Sequence, residues 1–208
     1  MFTFKHTDLD YNDEIERRNI LGNAIKCVLH KLYGSAPTKV YEINEFSLET
    51  MPVISIDKFY DRILRYTGCS SEALIMSCIL IDRLHAYCPK LPVYSLTIHK
   101  LILTATLIAA KLVDDEHRNN ERYAKIGGIE IQEMNNLELK FLSSTNFDLL
   151  CGHSKYKGTL YLLCNNEVHL PNCDCDFKNL NYNYIFGGRL YENWTCTVIY
   201  HPYVNDDK

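Results

Sequence analysis

Apolar positions recur at helical spacing in six stretches of the chain. In the first, residues 10–34, Leu21, Ile25, Val28 and Leu32 follow one another at intervals of four, three and four and form one stripe. Asp10 or Asn12 is placed to cap this helix. Asp13, Glu14 and Glu16 suit its positive N-terminal end, and Gly34 stops it. Residues 35–52 carry Pro37 and Pro52 without a sustained period, which predicts a linker. The first helix is thereby set apart from the later helices, and its stripe requires a surface to dock on.

Five further helices succeed it with short connections. Over residues 54–66, Ile56, Phe59, Tyr60, Ile63 and Leu64 lie on one side, and Gly68 breaks the pattern. Ser70 or Ser71 opens the next helix, with Glu72 in its first turn, and it runs to about Tyr87 before Cys88-Pro89. Ser95 is expected to cap a helix over residues 96–113. Its stretch 101–110 is apolar nearly all round, so other helices must enclose it. A short helix over 121–126 ends at Gly127-Gly128, read as a cap and turn. The last, over 131–144, carries Met134, Leu137, Phe141 and Leu142 as its stripe. The pattern predicts an all-α fold: an N-terminal helix and linker over 1–52, then a five-helix bundle around one central helix over 53–150.

After Phe147 the texture changes. Thr159-Leu-Tyr-Leu-Leu163 and Val168-His-Leu170 flank Cys164-Asn165-Asn166, and Tyr184-Ile-Phe186 and Arg189-Leu-Tyr191 flank Gly187-Gly188. Both read as hairpins, and Thr195-Cys-Thr-Val-Ile-Tyr200 alternates as a strand does. Residues 151–208 are expected to form a small β appendage, with an ordered Asn/Tyr-rich loop region as the alternative.

Charge narrows the function classes. In 208 residues, 22 Lys+Arg stand against 26 Asp+Glu, a formal charge of -4. No global basic field is present, so nucleic acid is not an expected partner. No apolar run approaches the roughly 18 residues of a membrane span. The start, Met-Phe-Thr-Phe-Lys-His, lacks the apolar core of a signal peptide. The expectation is a soluble protein of the cytoplasm, the nucleus or both, with no membrane partner. The eight histidines are dispersed, and neither a nucleophile–base arrangement nor a Gly-rich phosphate loop after a strand is recoverable. No enzyme activity and no cofactor are expected.

Nine cysteines remain to be placed. Cys151, Cys164, Cys173, Cys175 and Cys196 crowd into the last 58 residues. Cys164, His169, Cys173 and Cys175, with Cys151-Gly-His153 nearby, offer zinc-type ligands. Their spacings of x4, x3 and x1 match no paired C-x2-C hook. Reduced, unliganded cysteines are expected, and a zinc site in the tail is the sharper alternative.

One ordered series of motifs goes further. It comprises Phe59-Tyr-Asp-Arg-Ile-Leu-Arg-Tyr66, Ile79-Leu-Ile-Asp-Arg-Leu84, and Ile98-His-Lys-Leu-Ile-Leu-Thr-Ala-Thr-Leu-Ile-Ala-Ala-Lys-Leu112. Asp115 and Asn120 come next, then Tyr123-Ala-Lys-Ile-Gly-Gly-Ile129, Glu133-Met-Asn-Asn-Leu-Glu-Leu-Lys-Phe-Leu142 and Asn146-Phe-Asp-Leu149. From about Val53 to Leu150 the chain resembles the cyclin family, and within it the P-type, phosphate-pathway branch with a single cyclin box. The resemblance implies a five-helix box whose third helix is central, and a regulatory subunit that forms a heterodimer with a cyclin-dependent serine/threonine kinase. The alternative is a cyclin-box adaptor that binds other machinery without activating a kinase.

The resemblance also assigns residues. Lys111 and Glu138 are implied to lie together at one edge of an apolar patch and to reach main-chain groups around the kinase C-helix. Asp115, Asn120 and Tyr123 are implied either to face the kinase activation segment or to cap the short fourth box helix. Asp82, between apolar neighbours, is expected to be partly buried and therefore to need a partner. Arg62 or Arg65 on the preceding helix is the candidate, as a structural ion pair. Two departures stand out. Tyr60-Asp-Arg-Ile-Leu64 replaces the Met-Arg-Ala-Ile-Leu run with which cell-cycle cyclins dock substrate peptides, and no second box of the same pattern is found after the first.

Overall fold

The computed structural model describes residues 8–33, 43–91, 93–164, 169 and 173, with only the backbone of residues 8–13. Seven helices and no strand lie among them: α1 (Asp8–Tyr33), α2 (Ile56–Thr67), α3 (Ser71–Tyr87), α4 (Ile98–Val113), α5 (Asn120–Gly127), α6 (Ile131–Ser144) and α7 (His153–Leu163). Helices α2 to α6 are the box. Helix α4 is its axis and packs against α2, α3, α5 and α6, with the α3 contact the most extensive. Every residue from Leu101 to Ala110 is buried, as its all-round apolar pattern requires. The two threonines on its buried surface return their hydroxyls to their own helix. Thr104 donates to the Lys100 carbonyl and Thr106 to the Ile102 carbonyl, each at 2.7 Å.

Local chemistry sets the helix ends. The Ser70 hydroxyl accepts the Ala73 amide at 3.1 Å and caps α3. Asn119 caps α5 by accepting the Arg122 amide at 3.0 Å, and α5 stops at Gly128, left-handed at φ 68°. Helix α4 departs from expectation. It begins at Ile98 with Thr97 as its cap residue, and Ser95 is buried ahead of it. The Thr97 hydroxyl instead accepts the Tyr94 amide at 3.0 Å, closing the turn that precedes the helix.

Helix α1 docks on α2 and α3 and reaches α7. Leu21, Ala24 and Ile25 are fully enclosed, while Leu32 is 48% exposed, so the buried face runs through Leu29 and Cys27 instead. Gly22 permits the approach: a Cβ there would stand 2.6 Å from Leu64 Cδ1. Polar groups then stitch α1 to the α2–α3 corner. Arg18 donates to the Leu64 carbonyl and, at 2.7 Å, to the Cys69 carbonyl, taking up orphan acceptors at the end of α2. Glu14 accepts the Ser71 amide at 2.7 Å and the Ser71 hydroxyl at 2.9 Å, placing negative charge at the start of α3. Helix α1 begins at Asp8, so Asp10 and Asn12 lie inside its first turns and neither is the N-cap expected of them; the Gly34 stop lies outside the described residues.

Where it is described, over residues 43–52, the stretch read as a linker is anchored on the bundle through the buried Phe46 and Ser47. Phe46 is fully buried edge-on against Phe141, with ring centroids 6.3 Å apart. Leu48 donates to the Leu96 carbonyl at 2.8 Å, and Lys100 donates to the Ser47 carbonyl at 3.0 Å.

The strand expected at residues 159–163 is part of α7. Tyr156, Leu160 and Leu163 fall at intervals of four and three, which turns them to one face; Leu160 and Leu163 join the core and Tyr156 packs against it. That face outweighs the β-preference of Thr159. The helical body therefore continues past residue 150. The hairpin around Gly187-Gly188 and the strand at 195–200 lie outside the described residues.

Candidate functional site

Helices α4, α5 and α6 converge on one carboxylate. Lys111, in the last turn of α4, places Nζ 2.7 Å from Glu138 Oε1. Asn120, the first residue of α5, donates Nδ2 to Glu138 Oε2 at 2.6 Å and to Asn135 Oδ1 at 2.8 Å. Glu138 thus has both oxygens engaged, and its rotamer is held from two elements. The cluster stays open to solvent, with the Lys111 and Glu138 side chains 32% and 16% exposed. Apolar side chains stand out of the same helices: Leu112 and Val113 at the end of α4, and Ile131 and Leu139 on α6, the last 62% exposed. A Lys ammonium with one hydrogen bond made has two more to give. This arrangement offers directed donors on helices that also expose apolar side chains.

The other assigned residues divide. Asn120 belongs to the cluster, and the capping role falls to its neighbour Asn119. Asp115 is exposed in the turn between α4 and α5, and among the described residues it makes no hydrogen bond or ion pair. Tyr123 cannot face a partner. It is fully buried, and desolvation, reinforced by Cys69 and Asp114 nearby, drives its phenol pKa far above the ordinary value. Tyr123 is a core residue because it sits on the inner face of α5 with Ala124 and Ile126.

The Asp82–Arg62 pair is absent. Asp82 is 58% exposed and meets Lys155 Nζ of α7 at 3.1 Å, while Arg62 donates to the Ile126 carbonyl at 3.3 Å. Apolar neighbours in sequence do not bury a helical residue, because each successive side chain is turned away from the last. Arg83, not Asp82, makes the tie that matters in this motif. It donates to the Asp148 carbonyl at 2.8 Å and the Leu150 carbonyl at 2.7 Å, with Asp148 Oδ1 at 3.2 Å. Tyr87 adds its hydroxyl to Asp148 Oδ2 at 3.0 Å. This fastens the segment after α6 to α3. Two of the three oxygen partners of Arg83 are backbone carbonyls, which leave no charge pattern in the sequence.

In the tail, the ligand atoms of His169 and Cys173 lie within 4.8 Å of each other and of Cys27 on α1. No described helix is long and apolar enough to cross a membrane.

The helical box thus carries a fixed polar cluster at its surface, on helices that also expose apolar side chains. The cyclin family model matches residues 21–149, and the chain belongs to the cyclin family. Cyclins are regulatory proteins. Cyclin-U4-3 of Arabidopsis thaliana is 44% identical over 106 residues, covering 51% of this chain and 48% of its own length. Cyclin-P4-1 of Oryza sativa subsp. japonica is 40% identical over 107 residues, covering 51% and 50%. Cyclin-P3-1 of the same plant is 38% identical over 98 residues, covering 47% and 41%. The chain spans about half the length of the curated relatives it matches.

Proposed function

We propose that this chain binds a cyclin-dependent serine/threonine kinase as a heterodimer and activates it by holding the kinase C-helix in its active position. The kinase needs its C-helix Glu paired with the β3 Lys before ATP phosphates are held productively. A surface that binds only that arrangement shifts the equilibrium by its differential affinity. The observation that carries the reading is Glu138 clamped between Lys111 and Asn120. A preformed cluster loses little entropy on binding, and its charges penalise a misaligned partner. Asp115, exposed in the connection between α4 and α5, extends the face toward the activation segment. The complex acts in the cytoplasm, the nucleus or both. A specific interface of this kind buries about 1,600 Å².

The test is affinity capture of the tagged chain followed by mass spectrometry and a kinase assay. The expected result is a cyclin-dependent kinase recovered in active form. Capture of other machinery with no kinase would instead support the adaptor reading.

A further inference from the structure

We propose that Cys27, His169 and Cys173 form a zinc site that fastens the segment after α7 onto α1. Cys27 is 6% exposed and His169 3% exposed, and Cys173 packs partly buried against the core. Neither cysteine is in a disulfide. Two sulfurs and an imidazole nitrogen gather within 4.8 Å although Cys27 and the other two lie at opposite ends of the described chain. In a tetrahedral zinc site, bond lengths of about 2.3 Å to sulfur and 2.0–2.1 Å to nitrogen place ligand atoms about 3.5–3.8 Å apart. A contraction of at most about 1.3 Å therefore closes the site on the metal.

A hydrogen bond fixes which imidazole nitrogen can bind a metal. His169 Nε2 lies 2.7 Å from the Leu163 carbonyl, which can only accept, so Nε2 carries the proton and Nδ1 carries the lone pair. A backbone carbonyl fixing the tautomer of a ligating histidine is the usual outer-shell arrangement around zinc. A set of two thiols and one imidazole is zinc-type chemistry, unlike the oxygen sets that hold magnesium or calcium. On binding, the two thiol protons leave to solvent and two Zn–S bonds and one Zn–N bond form. The fourth position is taken by water.

The site would give the tail a structural purpose. It ties the segment after α7 to the helix that Arg18 and Glu14 stitch to the box, so metal binding becomes part of the stability of the α1 docking.

The test uses the full chain, purified without chelator. Elemental analysis should find about one zinc per chain. After demetallation, Co²⁺ should give thiolate charge-transfer absorption and tetrahedral d–d bands that zinc then abolishes. Cys27→Ser, His169→Gln and Cys173→Ser should each weaken Co²⁺ binding more than about tenfold, since even losses outside the ligand shell reach that size. Cys27 lies in the core, so the two tail variants, checked for unchanged helicity by circular dichroism, decide the matter if Cys27→Ser unfolds. The proposal is overturned if the wild-type chain carries little zinc and gives no charge-transfer band with Co²⁺. It is equally overturned if folded His169→Gln and Cys173→Ser retain the full metal content, which would mark adventitious metal elsewhere.

Discussion

Lys111 Nζ stands 2.7 Å from Glu138 Oε1 and joins the last turn of α4 to the middle of α6. The pair is shared with Asn120, whose amide holds the other Glu138 oxygen at 2.6 Å. An isolated Lys–Glu pair at a protein surface contributes little to stability and samples many geometries. Fixing the carboxylate from a third element removes that freedom, and orientation is what a recognition surface needs.

Asn120→Ala should therefore act mildly on stability and more strongly on recognition. Removing its two hydrogen bonds lowers the unfolding free energy by about 0.5–1.5 kcal/mol. Urea denaturation measures this, and binding of the captured kinase should weaken as Glu138 loses its fixed orientation. Kinase affinity equal to wild type in the folded variant would show that this orientation is irrelevant to recognition.

Asp82 and Arg83 should separate cleanly. Asp82→Ala breaks only an exposed pair with Lys155 and should change stability by less than about 1 kcal/mol. Arg83→Ala strips hydrogen bonds from the Asp148 and Leu150 carbonyls and should cost about 1.5–3 kcal/mol. Thermal unfolding of the two variants side by side checks the order. A larger loss in Asp82→Ala contradicts the assignment.

The docking of α1 is a packing claim. Leu21 is fully enclosed, so Leu21→Ala should destabilise the fold by about 2–5 kcal/mol, the range for cavities of this kind. Leu32→Ala on the same helix, at a half-exposed position, should cost far less. Deleting residues 1–34 should lower stability or kinase affinity. A Leu21→Ala melting temperature equal to wild type would mean that α1 is not part of the folded body.

Acid should weaken the fold through His99. Burial holds its pKa below the ordinary 6.5, against the opposing pull of its hydrogen bond to the Ile54 carbonyl. Below 6.5 the unfolded chain binds a proton that the folded chain refuses, so stability falls with pH until the folded value is passed. Urea midpoints measured between about pH 7.5 and 5.5 should fall in the wild type and fall less in His99→Gln. Identical slopes would place the acid sensitivity elsewhere.

Much of the box was legible because its signals are local. The intervals of Ile56, Phe59, Tyr60 and Ile63, the Ser70 cap and the all-apolar run of α4 each report on a single helix. What escaped depends on faces and on distance. Tyr156, Leu160 and Leu163 carried a helical period, but Thr159 and the Cys-Asn-Asn after α7 drew the reading toward a hairpin. Tyr123 was placed by motif position and Asp82 by its apolar sequence neighbours, and the side of the helix each occupies reversed both expectations. The meeting of Cys27 with His169 and Cys173 has no spacing signature, since it arises only when α1 folds back along the bundle. Glu138 and Lys111 were recoverable through the family resemblance, while the role of Asn120 in clamping them emerged only from the three-helix geometry.

The measurement that bears most directly on the central claim is activation of the captured kinase by the exchange variant Lys111→Glu/Glu138→Lys. Exchange retains an opposite-charge pair across α4 and α6, so the variant should fold with the helicity and melting behaviour of the wild type. Reversed charges then meet the kinase groups that the native pair addresses. Activation should fall by at least about thirtyfold, the equivalent of roughly 2 kcal/mol for a mispaired interfacial charge. A folded exchange variant that activates the kinase as well as the wild type would contradict the account.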